Sequence, residues 1–102
     1  MTAYVIADID VHDPEHYPEY TSLVPGTLEP FGGRFVVRGG AVEQLEGSWS
    51  PKRLVVLEFP SVEQARAWYD SEIYREAKEL RQRYATGTLL LVEGAEAPVP
   101  AP

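Results

Sequence analysis

Apolar and polar positions alternate from the third residue onward. Ala3, Val5, Ala7, Ile9 and Val11 fall on one face of an extended segment; Tyr4, Ile6, Asp8 and Asp10 fall on the other. The first set is small and wholly apolar, so residues 3–11 are predicted to form a strand packed under helices. Asp13-Pro14 reads as a helix start, because the aspartate can accept from free N–H groups and proline suits the first helical position. Tyr17, Tyr20, Leu23 and Val24 follow at helical spacing. Pro25 interrupts them, which predicts two helical pieces, 14–22 and 25–31, stopped by Gly32-Gly33. Residues 34–38 predict a second strand. Gly39-Gly40 marks a bulge or bend, and 41–46 are expected to continue the strand beyond it. Residues 47–52 read as a loop and 53–59 as a central strand, apolar except at its ends.

Ser61 and Gln64 have the spacing of a capping box. Val62, Ala65, Tyr69, Ile73, Ala77, Leu80 and Tyr84 then recur every three or four residues, the core stripe of one helix. Asp70-Ser71 is expected to break or bend it, with Ser71 capping the second part. Thr86-Gly87 ends the helix and 88–93 form the last strand. Residues 94–102, alternating Pro with Ala and Val, read as an extended tail. The order strand-helix-strand, strand-helix-strand predicts an α+β fold of the ferredoxin-like, split βαβ type. It is a four-stranded antiparallel sheet with two helices on one face, a single domain over 1–93.

That architecture leaves one sheet face bare, and Tyr4 and Ile6 make it too apolar for water. Two copies stacked face to face would cover it, so a homodimer is expected. Net charge sharpens the list of partners. At −7 over 102 residues, the chain has no basic stripe to neutralise phosphates, which argues against nucleic acid and anionic membranes. There is no cysteine, which removes disulfides, thiolate catalysis and cysteine-ligated zinc. The first residues lack a basic stretch and meet Asp8 early, so no signal peptide is read there. No apolar run nears the ~20 residues of a membrane span. A cytoplasmic protein is the expectation.

Several stretches, taken together, resemble the domain-of-unknown-function family 1330, within the dimeric α+β barrel superfamily. They are Asp13-Pro14-Glu15, the run from Gly32 to Gly40, Arg53-Leu54-Val55-Val56-Leu57-Glu58-Phe59-Pro60, and Ala67-Trp68-Tyr69 followed by Ser71 and Tyr74. The resemblance spans residues 3–93. It implies a homodimer whose two sheets form a barrel. It implies no single activity, since the superfamily includes cofactor-independent monooxygenases, lactone isomerases, haem-dependent enzymes and stress proteins.

The candidate chemistry comes from charges on strands. Arg34 and Arg38 are four apart, which on a regular strand puts them on one face; Asp8 and Glu58 lie on neighbouring central strands. One reading is a site for a small acid, with Arg34 and Arg38 as anion anchors and Asp8 or Glu58 as proton acceptor. The other is a set of internal ion pairs that fix the sheet register, a common arrangement. His12 and His16 could serve as a general base or a metal pair with Asp10 or Asp13, His12 being the better placed; solvated histidines near a helix start are the plainer reading. Tyr17, Tyr20, Trp68, Tyr69 and Tyr74 could wall a cavity for an aromatic ligand. Tyr20 and Tyr69 could equally be core residues, while Trp68, beside the stripe, is expected at a cleft edge or the dimer seam. The catalytic candidates are therefore Asp8, Glu58 and His12, and the substrate-binding candidates Arg34, Arg38, Tyr17, Tyr20 and Trp68. No bound cofactor or metal is expected. Two functions stay open: a small-molecule site in each protomer, or a non-catalytic dimeric module. A cavity with unpaired polar groups favours the first; arginines each matched to a carboxylate favour the second.

Overall fold

The structure, a computed structural model, describes residues 1–95. β1 (Ala3–Val11) forms as its alternation predicts, with Ala3, Val5, Ala7 and Ile9 buried. It lies at the centre of a four-stranded antiparallel sheet with β2 (Arg34–Arg38), β3 (Leu54–Phe59) and β4 (Ala85–Glu93), in the order β2-β3-β1-β4. Val5 sits opposite Leu57 and Leu91, and Ala7 opposite Val55 and Leu89, so one face is continuously apolar. Helices cover that face: α1 (Tyr17–Thr21), α2 (Val24–Leu28) with a 3₁₀ turn at Glu29–Phe31, α3 (Val62–Tyr69) and α4 (Glu72–Tyr84). Trp68, Tyr74 and Phe59 are the largest fully buried side chains and mark the centre of the core. This is the α+β architecture that the element order implies. Among the described residues, no helix is long and apolar enough to cross a membrane.

Local chemistry sets the boundaries. The Asp13 carboxylate accepts from the backbone N–H of His16 at 3.2 Å and its carbonyl from that of Tyr17 at 3.0 Å. A turn therefore precedes α1, which starts at residue 17 and not at 14. Ser61 Oγ accepts from Gln64 N, and Ser71 Oγ from Tyr74 N, both at 3.1 Å. Each serine supplies an N-cap. The second cap restarts the helix after Asp70 and resets its phase. Buried positions run Ala65, Trp68, then Tyr74, Ala77, Arg81, while Ile73 is 51% exposed. The continuous stripe through Tyr69, Ile73 and Leu80 is thus shifted by a residue. β4 begins at Ala85, earlier than predicted, and runs through Gly87. A Cβ at Gly87 would lie 2.8 Å from the Asp8 carbonyl oxygen, so a strand glycine lets β1 and β4 approach.

Two expectations fail in β2 and beyond it. Phe35 pairs with Leu57, but Val37 pairs with Val56 and Arg38 with Val55. One extra residue sits between Phe35 and Val37, a bulge, and it inverts the parity of the strand. Arg34 therefore stands opposite Glu58 on the bare face, whereas Phe35 and Arg38 point towards the helices. The two arginines do not share a face. The bulge comes before Gly39-Gly40, inside a run that reads as regular. Residues 41–46 do not extend β2; the chain is irregular from Gly39 to Arg53. The proline-rich tail lies, from residue 96 on, outside the described residues.

Candidate functional site

The bulge in β2 and the break before α4 turn arginines inward. Arg38 from β2, Arg53 just before β3 and Arg81 from the last turn of α4 line one cavity of about 40 Å³ between sheet and helices. Its walls are otherwise apolar, with the phenols of Tyr17, Tyr20 and Tyr74 among them. Arg81 is only 5% exposed. The Nε atoms of Arg53 and Arg81 are buried and meet no hydrogen-bond partner among the described residues. Among the described residues, no Asp, Glu or His lines the cavity. Among the described residues the ion pairs are His16–Asp13, Arg34–Glu58 and Arg75–Glu72, and none involves these three arginines.

Each group is held by its neighbours. The Arg38 guanidinium lies 4.1 Å above the Phe35 ring, and its Nη2 donates to the Thr21 carbonyl at 3.3 Å, bridging β2 and α1. The Arg53 guanidinium rests against Gly39 and lies 6.0 Å from the centre of the Tyr17 ring. The Tyr20 and Tyr74 hydroxyls are 3.0 Å apart. The Trp68 ring lies tilted against Tyr74, centroids 4.1 Å apart, and donates from Nε1 to Thr27 Oγ1 at 3.0 Å.

Burial pushes the Tyr17 phenol up, and pushes Tyr20 up much further, with the adjacent Tyr74 hydroxyl adding to it. Both are neutral hydrogen-bond donors at neutral pH. Burial on its own would weaken the proton affinity of Arg81, but the oxygens of Tyr74 and Tyr20 outweigh it and the guanidinium is held firmly charged. The cavity thus offers positive charge and O–H and N–H donors. That chemistry suits a carboxylate or a developing oxyanion. None of the lining side chains is a proton acceptor of ordinary carboxylate or imidazole strength.

Of the residues singled out from sequence, Arg38, Tyr17, Tyr20, Trp68 and Tyr74 line this cavity. Trp68 does so from the core, 1% exposed, and does not sit at a cleft edge or seam. The others lie elsewhere. Arg34 Nε donates to Glu58 Oε1 at 2.8 Å on the bare face. Asp8, also on that face, accepts from Trp49 Nε1 at 3.0 Å and from Lys52 N at 2.9 Å; the Trp49 bond first, helped by Lys52, holds its carboxyl below the usual range. His12 Nε2 is 2.9 Å from Thr86 Oγ1 at an exposed strand end. His16 pairs with Asp13 at 2.8 Å and stacks on Tyr84. Asp8, Glu58 and His12 are not brought to the cavity. Arg53 and Arg81 were not among the predicted site residues. Restarting the helical count at Ser71 would have found Arg81, since residues 74, 77 and 81 then form the inner stripe, with a charge where a core residue belongs.

Comparison with known proteins adds the fold's relatives. A protein of unknown function from Rhodopseudomonas palustris, RPA0582, matches with a TM-score of 0.73 at 21% identity, over 94% of this chain and 84% of that one. SnoaB from Streptomyces nogalater, a cofactor-independent oxygenase, matches with a TM-score of 0.55 at 15% identity, over 98% of this chain and 97% of that one. At such identities the likeness is one of fold, of the α+β barrel type. No curated protein matches the chain. The family described as Domain of unknown function (DUF1330) matches residues 2–95, nearly the whole described length, and the chain belongs to it.

Proposed function

We propose that the protein binds a small carboxylate, or an aromatic molecule in its anionic form, in the cavity between sheet and helices, with no bound cofactor and as a homodimer. One observation carries this reading: three guanidinium groups line a single small cavity to which the described residues bring no carboxylate. A buried charge without a partner costs several kcal/mol, and a protein rarely retains it unless a ligand offsets it. The competing reading, a module whose arginines are structural, fits the Arg34–Glu58 pair but leaves Arg81 unexplained.

The lining groups stabilise negative charge and do not remove protons. A transformation here would therefore draw on a stabilised enolate, phenolate or oxyanion of the substrate. The fold likeness to SnoaB, described as a cofactor-independent oxygenase, is in keeping with a cavity whose side chains act alone.

Thermal unfolding in the presence of acetate, propionate and benzoate tests the reading. A ligand that binds only the folded state raises Tm with concentration. Arg81→Met keeps the length of the side chain and removes the buried charge. The variant is expected to unfold at the same temperature as the parent or higher, by about 1 kcal/mol of added stability, and to lose the carboxylate-dependent rise. A flat response of the parent across the panel overturns the reading. So does an Arg81→Met protein destabilised by about 3 kcal/mol or more, as expected for a broken structural ion pair, with its ligand response intact.

A further inference from the structure

β4 ends the sheet, and among the described residues no strand pairs with its outer edge. It is nine residues long, holds no proline or bulge, and carries no charge before Glu93. Those are the devices that keep an edge from pairing with another chain. Two grooves run beside it, under the helices. One, of about 240 Å³, is lined by Ala65, Tyr69 and Leu91, and the next shares Tyr69 and Leu89 with it. The charged residues lining them are Arg66 and Arg81, both positive in a chain of net charge −7. The loop that leaves β2, the opposite edge strand, has the complementary character. It is tied at both ends: Gly39 N–H donates to the Leu54 carbonyl at 2.8 Å, and Trp49 Nε1 to Asp8 Oδ2 at 3.0 Å. Between the ties it holds out Val42, 49% exposed, and Leu45, 85% exposed. Its charges there are Glu43 and Glu46, both negative. Resting on the homodimer of the reading above, we infer that residues 41–46 of each copy dock along the β4 edge of the other, with Val42 and Leu45 as anchors and the two glutamates facing Arg66.

Symmetry delivers the loop to that edge. When two bare faces stack about a two-fold axis running along the strands, β2 of one copy lies over β4 of the other. The loop leaves β2 level with Leu54, which pairs with Asp8 and through it with Thr88. It therefore arrives beside the middle of β4, where the groove opens. An axis across the strands sets β2 on β2 and leaves both β4 edges open. Along an added strand, residues three apart face opposite ways. One of Val42 and Leu45 then enters the groove, and the other turns to the bare face beside Leu90 and Val92, both exposed in the single chain. The docked segment offers its backbone to the unpaired groups of β4, which is strand addition to a sheet edge.

Residue-resolved amide hydrogen exchange, read together with light scattering on the full chain, tests this. In the parent dimer, the β4 amides that β1 leaves unpaired are expected to exchange at least about a hundredfold more slowly than amides of an open edge. Leu45→Asp charges an exposed tip and touches no core. It is expected to abolish that protection and to weaken the dimer at least about tenfold. Arg66→Glu is expected to weaken the dimer by about the same factor, and adding Glu43→Lys and Glu46→Lys to it should restore the parent's affinity. A parent dimer whose outer β4 amides exchange freely overturns the docked loop but leaves the dimer standing. So does a Leu45→Asp dimer with full protection, which gives the edge to the partner's own β4. A parent of single-chain mass overturns loop and dimer together, and slow β4 exchange in it would assign the edge to residues of the same chain. The carboxylate site is read separately, by thermal unfolding, and its failure would leave these outcomes unchanged.

Discussion

Gly39 performs two tasks that no other residue could combine. Its φ of +70° belongs to the left-handed region, and its N–H donates to the Leu54 carbonyl at 2.8 Å as the chain leaves β2. A Cβ there would also sit 2.5 Å from Nη1 of Arg53. The absent side chain is therefore the space in which the Arg53 guanidinium lies. Gly39→Ala is expected to lower stability by about 1–2 kcal/mol through backbone strain. It should also weaken carboxylate binding, because Arg53 must leave its place. Gly40 has open space around the Cβ position and no positive φ, so Gly40→Ala should change neither. Thermal unfolding and titration of the two variants read the difference. If Gly39→Ala binds carboxylates as the parent does, the aim of Arg53 plays no part in the site. Arg81 teaches a related lesson about single residues. In the sequence it stands next to Leu80 and Gln82, on a helix rich in Glu, Lys and Arg, where an arginine reads as a solvated charge. Its burial follows only from the phase of α4, which one serine cap sets.

Elements differed in how plainly they could be read. β1 was legible to its end residues because a strand covered on one face imposes strict alternation. Pro60, Ser61 and Ser71 marked element boundaries by chemistry that acts within a few residues. The β2 bulge was not legible, since parity is decided by pairing with β3, and the five residues of β2 carry apolar groups at both parities. That one insertion moved Arg38 into the cavity and left Arg34 outside. The segment from Gly39 to Arg53 was misread in its first half for a similar reason. Val42 and Leu45 look like strand residues but remain exposed. What fixes that segment is Asp8, whose carboxylate accepts from Trp49 Nε1 and Lys52 N. These bonds, the Trp49 one foremost, lower the pKa of Asp8 below 3.8. A group depressed in the folded state stabilises it above the unfolded value and stops doing so as pH falls through the folded one. The segment should therefore stay docked at pH 5 and detach on acidification below 3.8. Trp49 fluorescence, recorded in a Trp68→Phe background, should shift to the red over that window. Asp8→Asn should show the shifted spectrum already at neutral pH. A Trp49 signal indifferent to both changes would mean that Asp8 does not hold the segment.

At the scale of the molecule the two faces of the sheet have separate work. The helix-covered face carries the cavity. The other face presents Tyr4 opposite Val92 and Glu58, and Ile6 opposite Leu90 and Val56, with Leu90 59% and Val92 43% exposed. The Arg34–Glu58 pair and Asp8 lie at the borders of this apolar patch, which gives it the greasy centre and polar rim of an association surface. Its apolarity could be read from the alternation of β1, but what covers it depends on two surfaces meeting, which a single sequence does not specify. We expect light scattering at micromolar concentration to give a particle of twice 11.4 kDa. Leu90→Asp places like charges across a two-fold contact and desolvates them, so that variant should run at the single-chain mass. Because Leu90 is outside the helix-side core and outside the cavity, the variant should still fold and should bind carboxylates as the parent does. Mass and binding then separate the two roles. A parent protein of single-chain mass ends the dimer, whereas loss of binding in a folded Leu90→Asp monomer would mean that the second copy shapes the cavity from behind the sheet.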